Sequence, residues 1–541
     1  MSSAGQPAAR FAASTDRARF RGWTVRDVWA MQVSHRPTQP FLTVIDVDAD
    51  TVTDTTYEQF DRWTNQIANL FLDRGVRAGD RVVVQQPNSA VFVGCLLAAA
   101  KIGAVLVPLA PSAVPRECVD TIERTTAQLI VTDGSLLTAL TTDTDTDTAA
   151  IAASIPTLVT GTESHGELQA FAAAVAEQGE RLRETQVVQE SDLAEIMFTS
   201  GTTARPKGVM LSQANLVFAG EYVNWELGMH TQDRYLTAMM VTLANFQLSA
   251  LMPVITAGST LLLATRYSAT RYWRQAREQR ATLVQAMAMI ARTMLLQPVD
   301  PDEQQHDVRH VHYFLPISDA EKTLFEERFH ARLLNNYGST ETIAGTITDT
   351  VTDANWPSIG RIGPGYQAKI AGPDGTAVPT GETGEILIQG VPGLSLAAGY
   401  WQDPAATAAA FTADGWFRTG DYGSRDADGW FFFAGRAADR IKAGGQSISA
   451  SEIETVLRQH PDVADAAVVG VDDPVRDATV VAFIVPEPGT ALQTDDLRQF
   501  CSTRLAAFKI PTRIDVVADL PRGHYGKVRK DQLLARTRKA A

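Results

Sequence analysis

Residues 196–208 read IMFTSGTTARPKG. An apolar, strand-like run feeds a loop built of Ser, Thr and Gly that carries Pro206 and ends on Lys207 and Gly208. Small residues let backbone N–H groups approach phosphate oxygens, hydroxyls donate further hydrogen bonds, and the lysine supplies charge. The spacing differs from that of the Walker-type loop, so transfer of a terminal phosphoryl group is not required. Thr199, Ser200, Gly201, Thr202, Thr203 and Lys207 are candidate phosphate ligands; a plain polar turn is the competing reading.

Outward from that loop the pattern alternates between amphipathic helical stretches and short β-branched runs. TYEQFDRWTNQIANLFLDRG (56–75) sets Phe60, Trp63, Ile67, Leu70 and Phe71 along one helical face and stops at Gly75. RVVVQQ and AQLIVTD (127–133) read as strands. VFVGCLLAAAKIGAVLVPLA (91–110) is broken by Lys101 and Gly103 into a helix-length and a strand-length piece, short of a membrane span. Repeated strand–helix alternation predicts an α/β fold with parallel sheets. TALTTDTDTDTAA (138–150) reads as a polar surface loop. Turn signals in 360–390, Pro373-Asp374-Gly375 among them, predict hairpins and a small antiparallel β subdomain. Past residue 440 a helix–strand–strand–helix–strand pattern predicts a compact α+β lobe of about a hundred residues. The predicted division is 1–435 as core, 436–440 as junction and 441–541 as C-terminal lobe.

At 541 residues the chain is long enough for more than one core, and 45% apolar with 20% charged residues is an ordinary globular composition. Acids outnumber bases 62 to 48, for a formal charge of −14. That argues against a nucleic-acid or anionic-membrane surface, which needs clustered positive charge. Cys95, Cys118 and Cys501 are too few for a disulfide framework or a Cys-rich zinc site. The first twenty residues lack the apolar block of a secretory signal. The expectation is a soluble, cytoplasmic protein.

Four further motifs follow in order: NNYGSTET (335–342), GWFRTGDYG (415–423), GRAADRIKAGGQSISASEIE (435–454) and PRGHYGKVRKDQL (521–533). With the first loop, this set resembles the adenylate-forming superfamily of acyl-CoA synthetases, aryl acid ligases, luciferases and peptide-synthetase adenylation domains, over nearly the whole chain from about residue 24. NLVFAGEY, RYSATRYW, RTMLLQP and WPSIGRIG are most similar to the carnitine/crotonobetaine-CoA ligase subfamily. The resemblance implies ATP and Mg²⁺, with CoA as co-substrate and a small-molecule acid as partner. It implies that Tyr337 stacks on adenine beside Gly338, that Thr340 bonds the α-phosphate, and that Glu341 holds Mg²⁺. Asp421 is implied to bind the ribose hydroxyls and Arg436 the ribose or phosphate. Lys527 is implied to reach the reacting centre during adenylation, although GKVRK alone reads as a basic tail. The C-terminal lobe is implied to rotate about 436–440 between two poses, with Gly444–Ser449 lining the thiol passage in the second.

Three departures from the family pattern stand out. MMVTLANFQ (239–247) puts Leu243 where a histidine is usual, YFLPISDAE (313–321) replaces a Gly-Gly-Ala-Pro stretch, and Ala438 stands at a commonly polar hinge position. They place the acceptor in question. The leading reading is an acid–CoA ligase. The alternative is a diazotase of natural-product biosynthesis, a relative of the same family that activates nitrite with ATP for transfer to an aromatic amine. A nucleotide-binding regulator without turnover is a third reading, against which Lys527, Glu341 and Asp421 all stand. The acid and the oligomeric state are left open.

Overall fold

The computed structural model describes residues 22–113, 115–136, 155–161, 169–183, 187–199, 206–314, 317–436, 440–443, 446–473, 477–490, 492–505, 509–522 and 528–539. The low-complexity run 138–150, read above as a loop, lies outside them. The chain divides into two compact units, Met1–Gln367 with Gln389–Phe411, and Ala368–Ile388 with Thr412–Ala541.

The first unit holds two large mixed sheets. In the nine-stranded sheet Arg332–Tyr337, His310–Phe314, Leu283–Met287, Arg234–Thr237, Thr260–Ala264 and Pro40–Asp46 run parallel, with antiparallel strands at both edges. The eight-stranded sheet is ordered Gly399–Tyr400, Lys207–Ser212, Leu193–Thr199, Val105–Leu109, Arg81–Gln85, Leu129–Asp133, Thr157–Thr160 and Gln169–Ala170. Its β-branched strands are almost wholly buried, as expected for parallel strands covered on both faces. The helix expected at 56–75 is Tyr57–Asp73, started by a Thr56/Gln59 capping box. Phe60, Ile67, Leu70 and Phe71 are buried on its inner face, where each contributes about 1.5–3 kcal/mol of transfer free energy. Trp29, Phe41, Tyr57 and Phe60 form one aromatic cluster at its N-terminal end, with centroids as close as 4.7 Å.

The apolar stretch 91–110 folds as the helix Ala90–Ile102 and the strand Val105–Leu109, with Gly103 at φ +73° closing the helix. Gly94 lets this helix lie against Tyr57–Asp73, since a Cβ there would sit 2.7 Å from the Trp63 ring. Lys101 does not break the helix. It turns inward, 4% exposed, and its Nζ donates to Asp61 Oδ1 at 2.7 Å, to the Asp61 carbonyl at 3.1 Å and to Asn65 Oδ1 at 2.7 Å. Burial lowers its pKa to about 8, with Asp61 opposing the shift. Lys101→Met is therefore expected to cost about 3 kcal/mol by leaving the Asp61 carboxylate without its cation. The measurement is urea denaturation of the full chain, and a change under about 0.5 kcal/mol, the size typical of a neutral surface substitution, would count against this account.

The second unit contains a four-stranded sheet ordered Gln367–Ala371, Gly384–Gln389, Phe417–Arg425, Phe431–Arg436, the antiparallel subdomain expected from the turn signals. The Pro373-Asp374-Gly375 turn is present, with Gly375 at φ +80°. The C-terminal α+β pattern also folds as read: helix Ala450–Arg458, strands Val463–Asp473 and Asp477–Pro486, helix Thr494–Ser502 and strand Arg513–Val516. Ile453, Leu457, Val468, Ile484 and Leu497 form its core. Among the described residues no helix is long and apolar enough to cross a membrane.

Candidate active site

The strand Leu193–Thr199 leads into the Ser/Thr/Gly segment, and the chain returns as Lys207–Ser212, paired antiparallel so that Thr199 faces Lys207 and Phe198 faces Gly208. The motif's two ends are thus adjacent, which brings Thr199 and Lys207 together. Ser200, Gly201, Thr202 and Thr203 lie outside the described residues. The base of the hairpin is pinned. Arg124 Nη1 donates to the Pro206 carbonyl at 2.9 Å while its guanidinium lies 4.8 Å from the Phe198 ring centroid. Trp401 donates its backbone N–H to the Gly208 carbonyl at 2.7 Å and its indole N–H to the Arg124 carbonyl at 2.9 Å.

Tyr337 ends the strand Arg332–Tyr337, and Gly338 begins a tight turn. A Cβ on Gly338 would lie 2.3 Å from the Ala344 carbonyl oxygen, a backbone atom with no room to yield, so glycine is required there. Thr340 and Glu341 stand on the one-turn 3₁₀ helix Thr340–Thr342, tied by mutual hydrogen bonds of Ser339 and Thr342. Ile343 follows at φ +67°, a left-handed conformation that is strained for a β-branched residue. The turn is held in place by Tyr366, which donates to the Thr342 carbonyl at 2.5 Å, and by Ala397 N–H, which donates to the Glu341 carbonyl at 2.9 Å.

Behind this turn lies a polar cluster that sequence reading missed. Glu226 and His312, both fully buried, meet at 3.2 Å. Asn336 donates to Glu226 at 2.6 Å, Thr348 donates to the same oxygen, and Tyr235 hydroxyl meets His312 Nδ1 at 2.8 Å. Glu226 thereby fixes the residue next to Tyr337.

Lys207 and Glu341 are linked through a second residue absent from the sequence reading. Tyr400 lies on the two-residue strand Gly399–Tyr400, paired with Val209 and Met210, two and three residues past Lys207. The Lys207 ammonium sits 4.8 Å from the Tyr400 ring centroid, and the Tyr400 hydroxyl donates to Glu341 Oε1 at 3.0 Å. Among the described residues the Tyr400 hydroxyl is the one side-chain partner of the Glu341 carboxylate, through Oε1, and the Tyr400 ring is the partner of the Lys207 ammonium, with no carboxylate paired to it. A lone carboxylate oxygen and a lysine without a counter-ion suit a Mg²⁺–nucleotide, whose cation takes one or two protein carboxylates and phosphate oxygens. Among the described residues no cluster of three or more His, Cys, Asp or Glu side chains forms a self-sufficient metal site.

In the second unit, register sets Asp421 opposite Arg436 across two antiparallel strands, and Arg436 Nε lies 3.0 Å from Asp421 Oδ1. Asp421 is buried, and its backbone N–H donates to Thr419 Oγ1 at 3.0 Å. Lys527 lies outside the described residues, as do 437–439 of the expected hinge with Ala438, and Gly444 of the expected thiol passage. Arg522 and Val528, on either side of 523–527, form an antiparallel bridge. Gln446–Ser449 is a strand paired with Arg440–Ala443. Of the departures, Leu243 is half-buried and precedes the short helix Ala244–Phe246 and a π-helical turn, Gln247–Leu251. Leu315 and Pro316 lie outside the described residues. Ser318 caps the helix Asp319–Phe329 through a box with Glu321, a local structural duty that accounts for that serine.

The family model "AMP-binding enzyme" matches residues 29–401, and "AMP-binding enzyme C-terminal domain" matches 452–527. The chain is 38% identical over 478 residues, 88% of its length and 92% of the relative's, to crotonobetaine/carnitine–CoA ligase of Salmonella typhimurium strain LT2. Its fold is similar to ATP-bound MatB from Rhodopseudomonas palustris, with a TM-score of 0.84 at 24% identity, over 96% of this chain and 99% of that one. It is also similar to a benzoate CoA ligase from Burkholderia xenovorans LB400, with a TM-score of 0.82 at 24% identity, over 94% and 99%. The chain belongs to the AMP-binding enzyme family, the adenylate-forming superfamily its motifs resemble. Within that family it is an ATP-dependent acid–CoA ligase. These relatives give no support to the nitrite-activating alternative.

Proposed function

We propose that the chain joins a small carboxylic acid to CoA in two steps, with betaine-type acids such as crotonobetaine and carnitine the first to test. A carboxylate oxygen attacks the α-phosphorus of ATP, the bond to the bridging oxygen breaks, and pyrophosphate leaves. The thiol of CoA then gives up its proton, its sulfur attacks the acyl carbon, and AMP departs. The observation that carries this reading is the 38% identity, over 88% of the chain, to a ligase named for those acids.

In this reading Tyr337 stacks on adenine and Gly338 keeps the backbone beside it compact. Thr199, Ser200, Gly201, Thr202, Thr203 and Lys207 hold the outer phosphates. Thr340 bonds the α-phosphate, and Asp421, already oriented by Arg436, accepts from the ribose hydroxyls. Glu341 is the carboxylate for Mg²⁺, which when bound neutralises phosphate charge. Lys527 reaches the reacting phosphorus, and residues 436–440 are the junction about which the C-terminal lobe turns between the two half-reactions.

Purified protein with ATP, Mg²⁺ and a panel of betaine, aliphatic and aryl acids, with and without CoA, tests it. The expected result by mass spectrometry is acyl-CoA and AMP in equal amounts for at least one acid, with acyl-AMP when CoA is left out. No loss of CoA thiol across the panel would overturn the proposal.

A further inference from the structure

We infer that Tyr400 is a positioning residue that holds Lys207 and Glu341 apart and ready for a metal–nucleotide. This inference rests on the adenylation reading above and adds a residue to it. Lys207 begins the strand Lys207–Ser212, and Glu341 stands on the 3₁₀ turn that follows the strand Arg332–Tyr337 of the other large sheet. Two such groups side by side would pair directly, and each incoming nucleotide would then have to break that pair. In this structure they do not pair. One aromatic ring stands between them, taking the ammonium at 4.8 Å from its centroid and giving its hydroxyl proton to Glu341 Oε1 at 3.0 Å.

Each contact leaves its partner usable. A cation over a ring keeps its three N–H donors for phosphate oxygens. A carboxylate that accepts one hydrogen bond through Oε1 is oriented, with Oε2 left for a cation. The ammonium over the ring also draws electron density from it, which strengthens the phenol as a donor to Glu341. The ring itself is fixed by Gly399–Tyr400 pairing with Val209 and Met210, and its backbone N–H donates to Thr407 Oγ1 at 2.9 Å. Tyr400 is buried and its place does not depend on the groups it positions.

The test separates Mg²⁺-linked from Mg²⁺-independent nucleotide affinity, using calorimetric titration of the full chain with α,β-methylene-ATP, which cannot be cleaved at the α-phosphorus. In Tyr400→Phe the ring and the lysine contact persist and only the hydrogen bond to Glu341 is lost. The expected result is that the strengthening of binding by Mg²⁺ falls about tenfold, the loss typical when a metal ligand's orienting partner is removed, with metal-free affinity and melting temperature unchanged. In a Glu341→Gln background the same substitution is expected to have no further effect on the Mg²⁺ increment, because the two act through one contact. An unchanged Mg²⁺ increment in Tyr400→Phe, or an equal loss with and without Mg²⁺, overturns the inference. If the unsubstituted chain shows no Mg²⁺ increment, the adenylation reading falls and takes this inference with it.

Discussion

Lys527→Ala is expected to slow acyl-adenylate formation by about 10²–10³-fold while nucleotide binding stays largely intact. As the acid oxygen approaches the α-phosphorus and pyrophosphate departs, negative charge gathers among groups that are already anionic. A lysine reaching that centre interacts more strongly with the transition state than with bound ATP, so its loss appears in the rate and little in ground-state affinity. The measurement is acid-dependent ATP–pyrophosphate exchange, with binding of α,β-methylene-ATP followed in parallel. The second half-reaction supplies the control. In the proposed cycle Lys527 serves only the adenylating pose, so a variant given preformed acyl-AMP and CoA should still make thioester. Exchange at the unsubstituted rate would remove Lys527 from its role. Loss of both half-reactions together would mean that the substitution had damaged the lobe instead. Lys527→Arg should not restore the rate, because a planar guanidinium does not occupy the place of a compact ammonium.

What the sequence disclosed follows from the range of the interactions involved. The strands Arg81–Gln85 and Leu129–Asp133 and the helix–strand pair at 91–110 were legible because β-branched runs, Gly103 and helical periodicity act over a few residues. The α+β order of the C-terminal lobe was legible for the same reason. The ordering of strands into two sheets was not, because it depends on pairings between distant segments, such as Leu42 with Leu261. The return strand Lys207–Ser212 escaped notice since the loop before it reads as a break in structure. Lys101 looked like a helix breaker, because its partners Asp61 and Asn65 lie on another helix. Thr340, Glu341 and Tyr337 were found through a contiguous motif, whereas Tyr400, 59 residues from Glu341, has no motif of its own beyond a Gly-Tyr-Trp triplet. Glu226 and His312 stand 86 residues apart in the sequence, in the stretches VNWELGM and RHVHYFL, where nothing local marks them as partners.

Glu195 should make the chain lose stability as the solution turns alkaline, and Glu195→Gln should abolish that loss. The residue lies within the strand Leu193–Thr199, beside Leu106 on one neighbouring strand and Leu211 on the other. It is 1% exposed, and among the described residues neither carboxylate oxygen has a hydrogen-bond partner. Burial alone raises its pKa from the ordinary 4.5 to about 8, so the carboxyl is protonated at neutral pH. Between those two values the folded chain binds more protons than the unfolded chain, so stability is full below pH 4.5 and falls as pH rises through 8. A gap of about 3.5 pH units corresponds to a loss of roughly 5 kcal/mol. An amide of the same shape has no charge to uncover. Chemical denaturation of both proteins should give similar stabilities near pH 5, with the Gln variant ahead by about 3–5 kcal/mol at pH 9. Parallel curves across that range would show that Glu195 finds a partner or water when it ionises. The strand that bears this carboxyl ends at Thr199, so the penalty falls on the segment that leads into the proposed nucleotide loop. Affinity for α,β-methylene-ATP should therefore decline above pH 8 in the unsubstituted chain more steeply than in the Gln variant.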